Sequence, residues 1–182
     1  MNDHDLTYHV TYHVAATLDG FIAHDDGSFE GFSWDEAVVG DFLADLDAFG
    51  TVLMGRKTYD VGLKEGKTSP YPTMRQVVFS RTMAESPDSA VEIVREDPVE
   101  FVRDLMAAAD APVWLCGGGE LAGQLAGAGL IDRVVVKLNP VVFGSGIPLF
   151  GVGAGQVMLD LEETKAYDCG VVVLRYVVRR KA

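Results

Sequence analysis

The chain has 182 residues, of which 48% are apolar and 23% charged, as expected for one globular domain with a substantial core. Its formal net charge of -12 argues against nucleic acid and acidic membrane surfaces as partners, because both need a basic face. Two cysteines, Cys116 and Cys169, are too few for a disulfide framework and lack metal-ligand spacing, so no metal site is predicted. Without an export signal or a long apolar run, a cytoplasmic protein that forms a single domain over residues 1–182 is expected.

The first half of the sequence predicts one helix among short strands. The first strand, Tyr8 to Ala16, is rich in β-branched and aromatic residues and ends at an Asp19-Gly20 turn. A helix is predicted over Trp34 to Phe49, because apolar residues recur there at spacings of three and four. The strands predicted after it are Thr51 to Met54, Arg75 to Ser80 and Ala90 to Val94.

The second half alternates helices and strands. Asp97 is predicted to cap a helix that begins at Pro98 and runs to about Ala109. The elements predicted after it are a strand over Val113 to Cys116, a helix over Glu120 to Ala128, a strand over Arg133 to Leu138, and two strands over Val157 to Tyr167 and Gly170 to Val178. This alternation predicts an α/β fold with a mostly parallel sheet covered on both faces and a C-terminal antiparallel hairpin. Ligands of such sheets bind at the carboxyl ends of the strands.

Two glycine-containing turns follow predicted strands. Gly55-Arg56-Lys57-Thr58 offers close backbone approach and two cations, which suit a phosphate group. If Thr58 lies in the first turn of a helix, free N–H groups would face an anion there as well. Gly117-Gly118-Gly119 contains three glycines, and ordering each of them costs backbone entropy, whereas a turn usually needs only one or two. The additional glycine favours contact between a ligand and the main chain. Neither segment is a G-x-G-x-x-G fingerprint or a P-loop, so those two nucleotide-binding classes are not supported.

Three other features are weaker by themselves. Ser80-Arg81-Thr82 follows a strand and offers a hydroxyl and a guanidinium, although the same triplet is common in ordinary loops. Leu18-Asp19-Gly20 can be simply a turn. His9 and His13 fall on one face of the first strand, where a structural role is favoured over metal binding. No G-x-S-x-G or H-E-x-x-H motif is present, which disfavours hydrolases.

In order, the segments AATLDGFIA, VLMGRKTYD, VVFSRT, VWLCGGGELAGQLAGAGLIDRVVV and LNPVVFGSGIPLF resemble the dihydrofolate reductase superfamily. The branch that the segments most resemble is the RibD C-terminal family, the reductase domain of riboflavin biosynthesis, and the resemblance extends from about Tyr8 to Val178. It implies a three-layer dihydrofolate-reductase-like fold, NADPH as cofactor and an oxidoreductase activity.

The resemblance also implies roles for the matching positions. Gly55, Arg56, Lys57 and Thr58 would bind the cofactor's phosphates, and Ser80 and Arg81 would flank its adenosine end, which favours NADPH over NADH. The residues implied at the pyrophosphate and nicotinamide are Gly117, Gly118, Gly119, Glu120 and Leu121, and the paired glycines can carry a cis peptide. The residues implied at the nicotinamide and substrate are Ala16, Leu18, Asp19 and Gly20.

The sequence departs from dihydrofolate reductase at the carboxylate that grips the pterin ring. Spacing to Gly55 puts that carboxylate near Asp41, whereas the neighbouring Trp34 puts it at Asp35, and both alternatives stay open. Asp19, Asp35 and Asp41 are the three candidates for the group that assists protonation of the substrate. The zinc ligands of the deaminase domain often fused to the riboflavin-pathway reductase are absent from this sequence.

The sequence therefore predicts an NADPH-dependent reductase of a small pterin or ribosylaminopyrimidine, as in reduction of 5-amino-6-(5-phosphoribosylamino)uracil. The alternatives are an authentic dihydrofolate reductase and a non-catalytic NADPH-binding protein with the same fold. A homodimer is also predicted, because the apolar run Val171 to Val178 reads as an uncovered sheet edge and relatives are often dimers.

Overall fold

The computed structural model describes residues 10–180, so Tyr8 and His9, at the predicted start of the first strand, lie outside it. The helices are α1 (Glu36–Leu46), α2 (Arg56–Lys64), α3 (Pro98–Ala108) and α4 (Gly119–Gly127). The strands are β1 (Val10–Thr17), β2 (Phe21–Ala23), β3 (Thr51–Gly55), β4 (Arg75–Phe79), β5 (Val91–Val94), β6 (Val113–Gly117), β7 (Arg133–Asn139), β8 (Ile147–Pro148), β9 (Leu159–Ala166) and β10 (Val172–Val178).

Eight of these strands form one sheet in the order β5-β4-β3-β6-β1-β7-β10-β9. The pairs from β5 to β7 are parallel, and β10 pairs antiparallel with both β7 and β9. The predicted α/β fold with a mostly parallel sheet and a C-terminal antiparallel hairpin is therefore confirmed. The small pair β2 and β8, which brings Phe21 opposite Pro148, was not predicted, because strands of two or three residues carry too little pattern.

Helices cover both faces of the sheet, which produces the three layers. On one face, Val102 of α3 and Leu125 of α4 pack on the apolar residues of β1, β6 and β7. On the other face, Leu46 of α1 and Tyr59 of α2 pack on β3, β4 and β6 around Trp114. None of the helices within residues 10–180 has both the length and the apolar character needed to cross a bilayer.

Aspartate caps explain where two helices begin. The Asp97 carboxylate accepts the amide protons of Val99 and Glu100, and Pro98 occupies the first helical position, as predicted. The prediction of a helix from Trp34 to Phe49 was too long at both ends. Asp35 caps α1 at its start. Four residues after the end of α1, the Gly50 amide donates to the Pro112 carbonyl at 3.0 Å, at the entrance to the sheet.

The prediction that the apolar run of β10 is an uncovered edge was wrong. β10 lies between β7 and β9, so both of its sides are hydrogen-bonded to neighbouring strands. The edge strand at this end of the sheet is β9, whose sequence LDLEETKA is charged and exposed. Charged side chains on an edge strand disfavour pairing with another chain. An uncovered apolar edge at β10 therefore no longer supports a homodimer, and the homodimer stays a prediction.

Candidate cofactor and substrate site

Two helices begin at the carboxyl ends of neighbouring parallel strands. α2 follows β3 with Gly55 as its N-cap, and α4 follows β6 with Gly118 as its N-cap. Neither N-cap has a side chain that could accept a hydrogen bond, so the first amides of both helices face the same edge of the sheet without side-chain caps. Such an edge attracts anions, because unbonded N–H groups and both helix dipoles present positive charge there.

The glycines of the two turns approach each other closely. A Cβ atom on Gly55 would lie 3.4 Å from the backbone nitrogen of Gly118, and one on Gly118 would lie 3.5 Å from the Thr58 hydroxyl. Gly117 has φ of +141°, which L side chains rarely adopt, and the Gly117–Gly118 peptide is cis. The structure therefore brings Gly55, Thr58, Gly117 and Gly118 together, and side chains at the glycines would fill the space between the turns.

The third glycine has a packing role. A Cβ on Gly119 would lie 2.1 Å from the carbonyl oxygen of Pro148, and the Gly119 carbonyl accepts the amide of Gly151 at 2.7 Å. Gly123 and Gly127, one and two turns further along α4, also meet the loop after β8. The run of three glycines therefore combines a turn with a helix face that packs directly on backbone.

The two residues after Gly119 differ in exposure. Leu121 is buried in the core, and Glu120 is exposed in the first turn of α4. The Glu120 carboxylate would repel a phosphate, so only its backbone amide suits the implied role.

The predicted phosphate-binding residues lie at the ends of paired strands. Gly55 of β3 is opposite Phe79 of β4, so Arg56-Lys57 and Ser80-Arg81 leave the sheet side by side. Arg56 is already paired, because its Nε lies 2.7 Å from Asp60 one turn along α2. Lys57 and Arg81 are exposed and have no ion pair within residues 10–180. The buried Ser80 hydroxyl accepts the amide of Met83 at 3.0 Å and shapes the turn.

The Asp19 carboxylate holds a loop. It accepts hydrogen bonds from the Thr17 hydroxyl at 2.6 Å and from the amides of Phe143 at 3.2 Å and Gly144 at 2.7 Å. These bonds, that from Thr17 first, lower the pKa of Asp19, so the group is an ionised acceptor at neutral pH. Such a group fits the positioning of the loop over residues 141–146 better than the donation of a proton.

The first strand and its turn supply backbone more than side chains to this edge. The Ala16 side chain is buried, and its carbonyl accepts a hydrogen bond from the Asn139 amide at 3.4 Å. Leu18 is exposed, and Gly20 turns the chain with φ of +86°. Asn139 also accepts the amide of Ser33 at 2.9 Å, and this bond ties the loop before α1 to the end of β7.

The two other candidate carboxylates have structural partners as well. Asp35 caps α1 by accepting the amides of Ala37 and Val38. Asp41 accepts hydrogen bonds from Lys165 and Tyr167, which attach α1 to the edge of the sheet, and these bonds lower its pKa. Within residues 10–180, neither carboxylate forms a hydrogen bond or ion pair with the glycine turns.

The sequence analysis missed Lys137, which lies on the same sheet face as α1. Its Nζ lies 3.4 Å from the centre of the Phe42 ring, and burial lowers its pKa to about 8. The available signal was a lysine in the otherwise apolar segment Val134 to Leu138. Burial raises the pKa of the nearby Cys116 thiol to about 11, so that thiol is neutral.

His13 is buried under α1 with 3% of its surface exposed, in keeping with the structural role favoured for it. Burial, with Lys137 and Arg175 nearby, lowers its pKa to about 3. Its Nδ1 lies 3.8 Å from the Asp45 carboxylate, but an uncharged imidazole forms no ion pair at neutral pH. Asp45 is instead paired with Arg175 at 2.7 Å.

The chain matches the model of a known protein family. The model of the RibD C-terminal domain family matches residues 8–173. The chain therefore belongs to the RibD C-terminal domain family, as the sequence motifs predicted.

Three relatives illustrate the family. The uncharacterized protein YwjB of Bacillus subtilis is 31% identical over 172 residues, which cover 91% of this chain and 95% of YwjB. The riboflavin biosynthesis protein RibD of Mycobacterium tuberculosis is 29% identical over 153 residues, but these cover 76% of this chain and only 44% of RibD. A solved structure from Shewanella sp. PV-4, whose name refers to riboflavin biosynthesis, superimposes with a TM-score of 0.82 at 25% identity, covering 94% of this chain and 99% of that one.

Proposed function

We propose that this protein is an NADPH-dependent reductase of a small heterocycle of the pterin or ribosylaminopyrimidine type. Reduction of 5-amino-6-(5-phosphoribosylamino)uracil is the model reaction. Membership of the RibD C-terminal domain family supports a reductase. The observation that carries the cofactor assignment is the pair of helices that begin at Gly55 and Gly118, on neighbouring strands, without side-chain caps.

The residues at this edge fit a dinucleotide phosphate. Gly55, Gly117 and Gly118 leave open the space that side chains would fill, and the Thr58 hydroxyl borders it. The amides of both helix starts can donate to pyrophosphate oxygens there. Lys57 and Arg81 lie at the ends of the paired strands β3 and β4 and form no ion pair in the described part of the chain, so they supply positive charge that suits a 2′-phosphate.

When bound, NADPH supplies the hydride for the reduction. The chain's own residues hold the reacting groups in position. The turn over residues 17–20 and the loop over residues 141–146, joined by Asp19, border the edge beside β6. Ala16, Leu18 and Gly20 offer mainly backbone and apolar contacts to a nicotinamide ring at this position.

The cofactor assignment is tested by replacing Gly118. A Gly118→Leu side chain projects toward the Thr58 hydroxyl, so we expect NADPH to bind at least tenfold more weakly. Gly40→Leu is the matched control, because Gly40 is exposed in α1 and a Cβ there meets nothing within 4 Å. Unchanged NADPH affinity in the Gly118 variant, with a folded protein, would place the cofactor elsewhere.

The substrate class is tested by comparing turnover of the ribosylaminopyrimidinedione with turnover of dihydrofolate, at saturating NADPH. We expect the pyrimidine to be the better substrate, because Asp35 and Asp41, the candidates for the pterin-binding carboxylate, have other partners. Faster reduction of dihydrofolate would favour an authentic dihydrofolate reductase.

The same carboxylates favour a second candidate, a non-catalytic protein that binds NADPH. Asp19, Asp35 and Asp41 are all engaged in holding backbone or neighbouring side chains. NADPH binding without reduction of any substrate in a panel of pterins and pyrimidines would support this candidate.

A homodimer remains part of the proposal on family grounds alone. Sedimentation equilibrium at micromolar concentration measures the mass directly. A mass near the 19.6 kDa of one chain would contradict the dimer.

A further inference from the structure

Lys137 lies two strands from the glycine turn at the end of β6, on the sheet face that α1 covers. It is opposite Ala15 in the parallel pair of β1 and β7, and β1 is also the neighbour of β6, which ends at the glycine turn. Two residues further on, β7 ends at Asn139. The ammonium group lies against the Phe42 ring, so it is held between α1 and the carboxyl half of the sheet.

The other charged side chains on this side of the sheet have partners. Arg133 pairs with Glu162 at 3.0 Å, and Arg175 pairs with Asp45 at 2.7 Å. Lys165 donates to Asp41. Within residues 10–180, Lys137 has no carboxylate within ion-pair distance and no hydrogen-bond acceptor for its ammonium group.

The neighbours of Lys137 do not neutralise it. His13 on β1 and Cys116 on β6 are both uncharged at neutral pH, because burial lowers the pKa of the first and raises that of the second. Asp45 on α1 is taken by Arg175 of β10. Lys137 is half-buried, and a cation there with only an aromatic ring beside it has lost part of its hydration without gaining a partner. Such groups are found where a ligand completes the site.

We propose that Lys137 binds the substrate, by donating to a ring oxo group or an ionised ring nitrogen of an oxo-heterocycle. This inference rests on the proposed function, because it requires the substrate ring to lie beside a cofactor at the glycine turns. An ammonium group has three donors, so donors remain for a ligand when one faces the Phe42 ring.

Lys137 also selects among substrates. A ring that presents an oxo group or a negative charge completes the hydrogen bonds of the ammonium, whereas an apolar or cationic ring leaves the charge buried without a partner. Sites built around a buried polar group discriminate strongly against ligands that cannot pair with it. The site therefore favours pyrimidinediones and pterin lactams over analogues that lack the oxo group.

The test is calorimetric titration with 5,6-diaminouracil as the probe, with and without saturating NADP⁺, and with NADPH measured separately. Lys137→Met keeps the length of the side chain and removes its charge, and Lys137→Arg restores the charge. Lys165→Met is the matched control, since Lys165 lies on the same sheet face two strands away. Thermal melting of each variant checks that it is folded.

We expect Lys137→Met to weaken binding of the diaminouracil by about 10- to 100-fold, as for loss of a hydrogen bond to a charged group. Lys137→Arg should recover part of that loss, and NADPH affinity should stay within about twofold in every variant. Diaminouracil affinity that is unchanged in folded Lys137→Met, or undetectable in the unmodified protein, would overturn the inference. Failure to bind NADPH, with the Lys137 effect on the diaminouracil intact, would instead refute the proposed cofactor.

Discussion

His13 makes the free energy of unfolding depend on pH between pH 5 and pH 7, where the carboxylates with lowered pKa contribute little. Its pKa is lowered from 6.5 to about 3 in the folded protein, chiefly by burial. The unfolded chain therefore binds a proton at His13 as the pH falls below 6.5, while the folded protein does not. Stability contributed by the neutral imidazole is present above pH 6.5 and is lost progressively toward pH 3.

The size of the effect follows from the two pKa values. Between pH 7 and pH 5, protonation of the unfolded chain at His13 lowers the free energy of unfolding by ~2 kcal/mol. The carboxylates with lowered pKa, such as Asp19 and Asp41, start from an ordinary value of 3.8, so their loss of stability falls mainly below this window. A change between pH 7 and pH 5 thus reports chiefly on histidines.

The assay is urea denaturation at pH 7, 6 and 5, with His13→Gln as the variant. The unmodified protein should lose ~2 kcal/mol more over this range than His13→Gln, whose side chain does not titrate. His24→Gln is the control, because His24 lies in a loop outside the space under α1. An equal pH dependence in His13→Gln and the unmodified protein would refute a buried, neutral His13.

Three further predictions concern residues around the candidate site. Gly119→Ala should lower the free energy of unfolding by ~1–3 kcal/mol in urea denaturation, because its Cβ would lie 2.1 Å from the Pro148 carbonyl oxygen, whereas Gly40→Ala in α1 should be neutral or stabilising by up to ~1 kcal/mol. Equal effects of the two changes would contradict the packing of α4. Asp19→Ala should speed amide hydrogen exchange in the loop over residues 141–146, and unchanged exchange would mean that the carboxylate does not hold this loop. Because burial lowers the pKa of Lys137 from 10.5 to about 8, the unfolded chain binds more protons between these values, so stability should rise with pH there. Lys137→Met should abolish that rise and increase stability at pH 7 by up to ~3 kcal/mol, and a pH profile unchanged by the substitution would argue against a desolvated ammonium.

Local pattern was enough to predict most of the fold. β-Branched runs, the Asp97 cap and the glycine turns depend on neighbours in the sequence, and the structure agrees with them to within a few residues. The order of the strands depends on contacts between distant segments, so the sequence did not reveal that β10 enters between β7 and β9. The prediction therefore placed the apolar strand β10 at the edge of the sheet, where the structure has the charged strand β9.

The candidate site was only partly predictable for the same reason. The glycine turns could be predicted, because glycine at positions 55 and 117 is itself the sequence signal for unusual backbone freedom. The role of a carboxylate depends on what surrounds it, and the partners of Asp41, Lys165 and Tyr167, are more than 120 residues away in the sequence. Lys137 was missed because its burial and its lack of a partner arise only once α1 lies over β7.

The most direct test of the account is a fluorescence titration of the purified protein with NADPH and, separately, with NADH. The double variant Lys57→Glu with Arg81→Glu provides the comparison, because both cations lie at the ends of β3 and β4 without ion pairs in the described part of the chain. The account predicts that NADPH binds more tightly than NADH by at least tenfold and that the double variant loses this preference. Absence of binding by either nucleotide would contradict the assignment of this protein as a nicotinamide-dependent reductase.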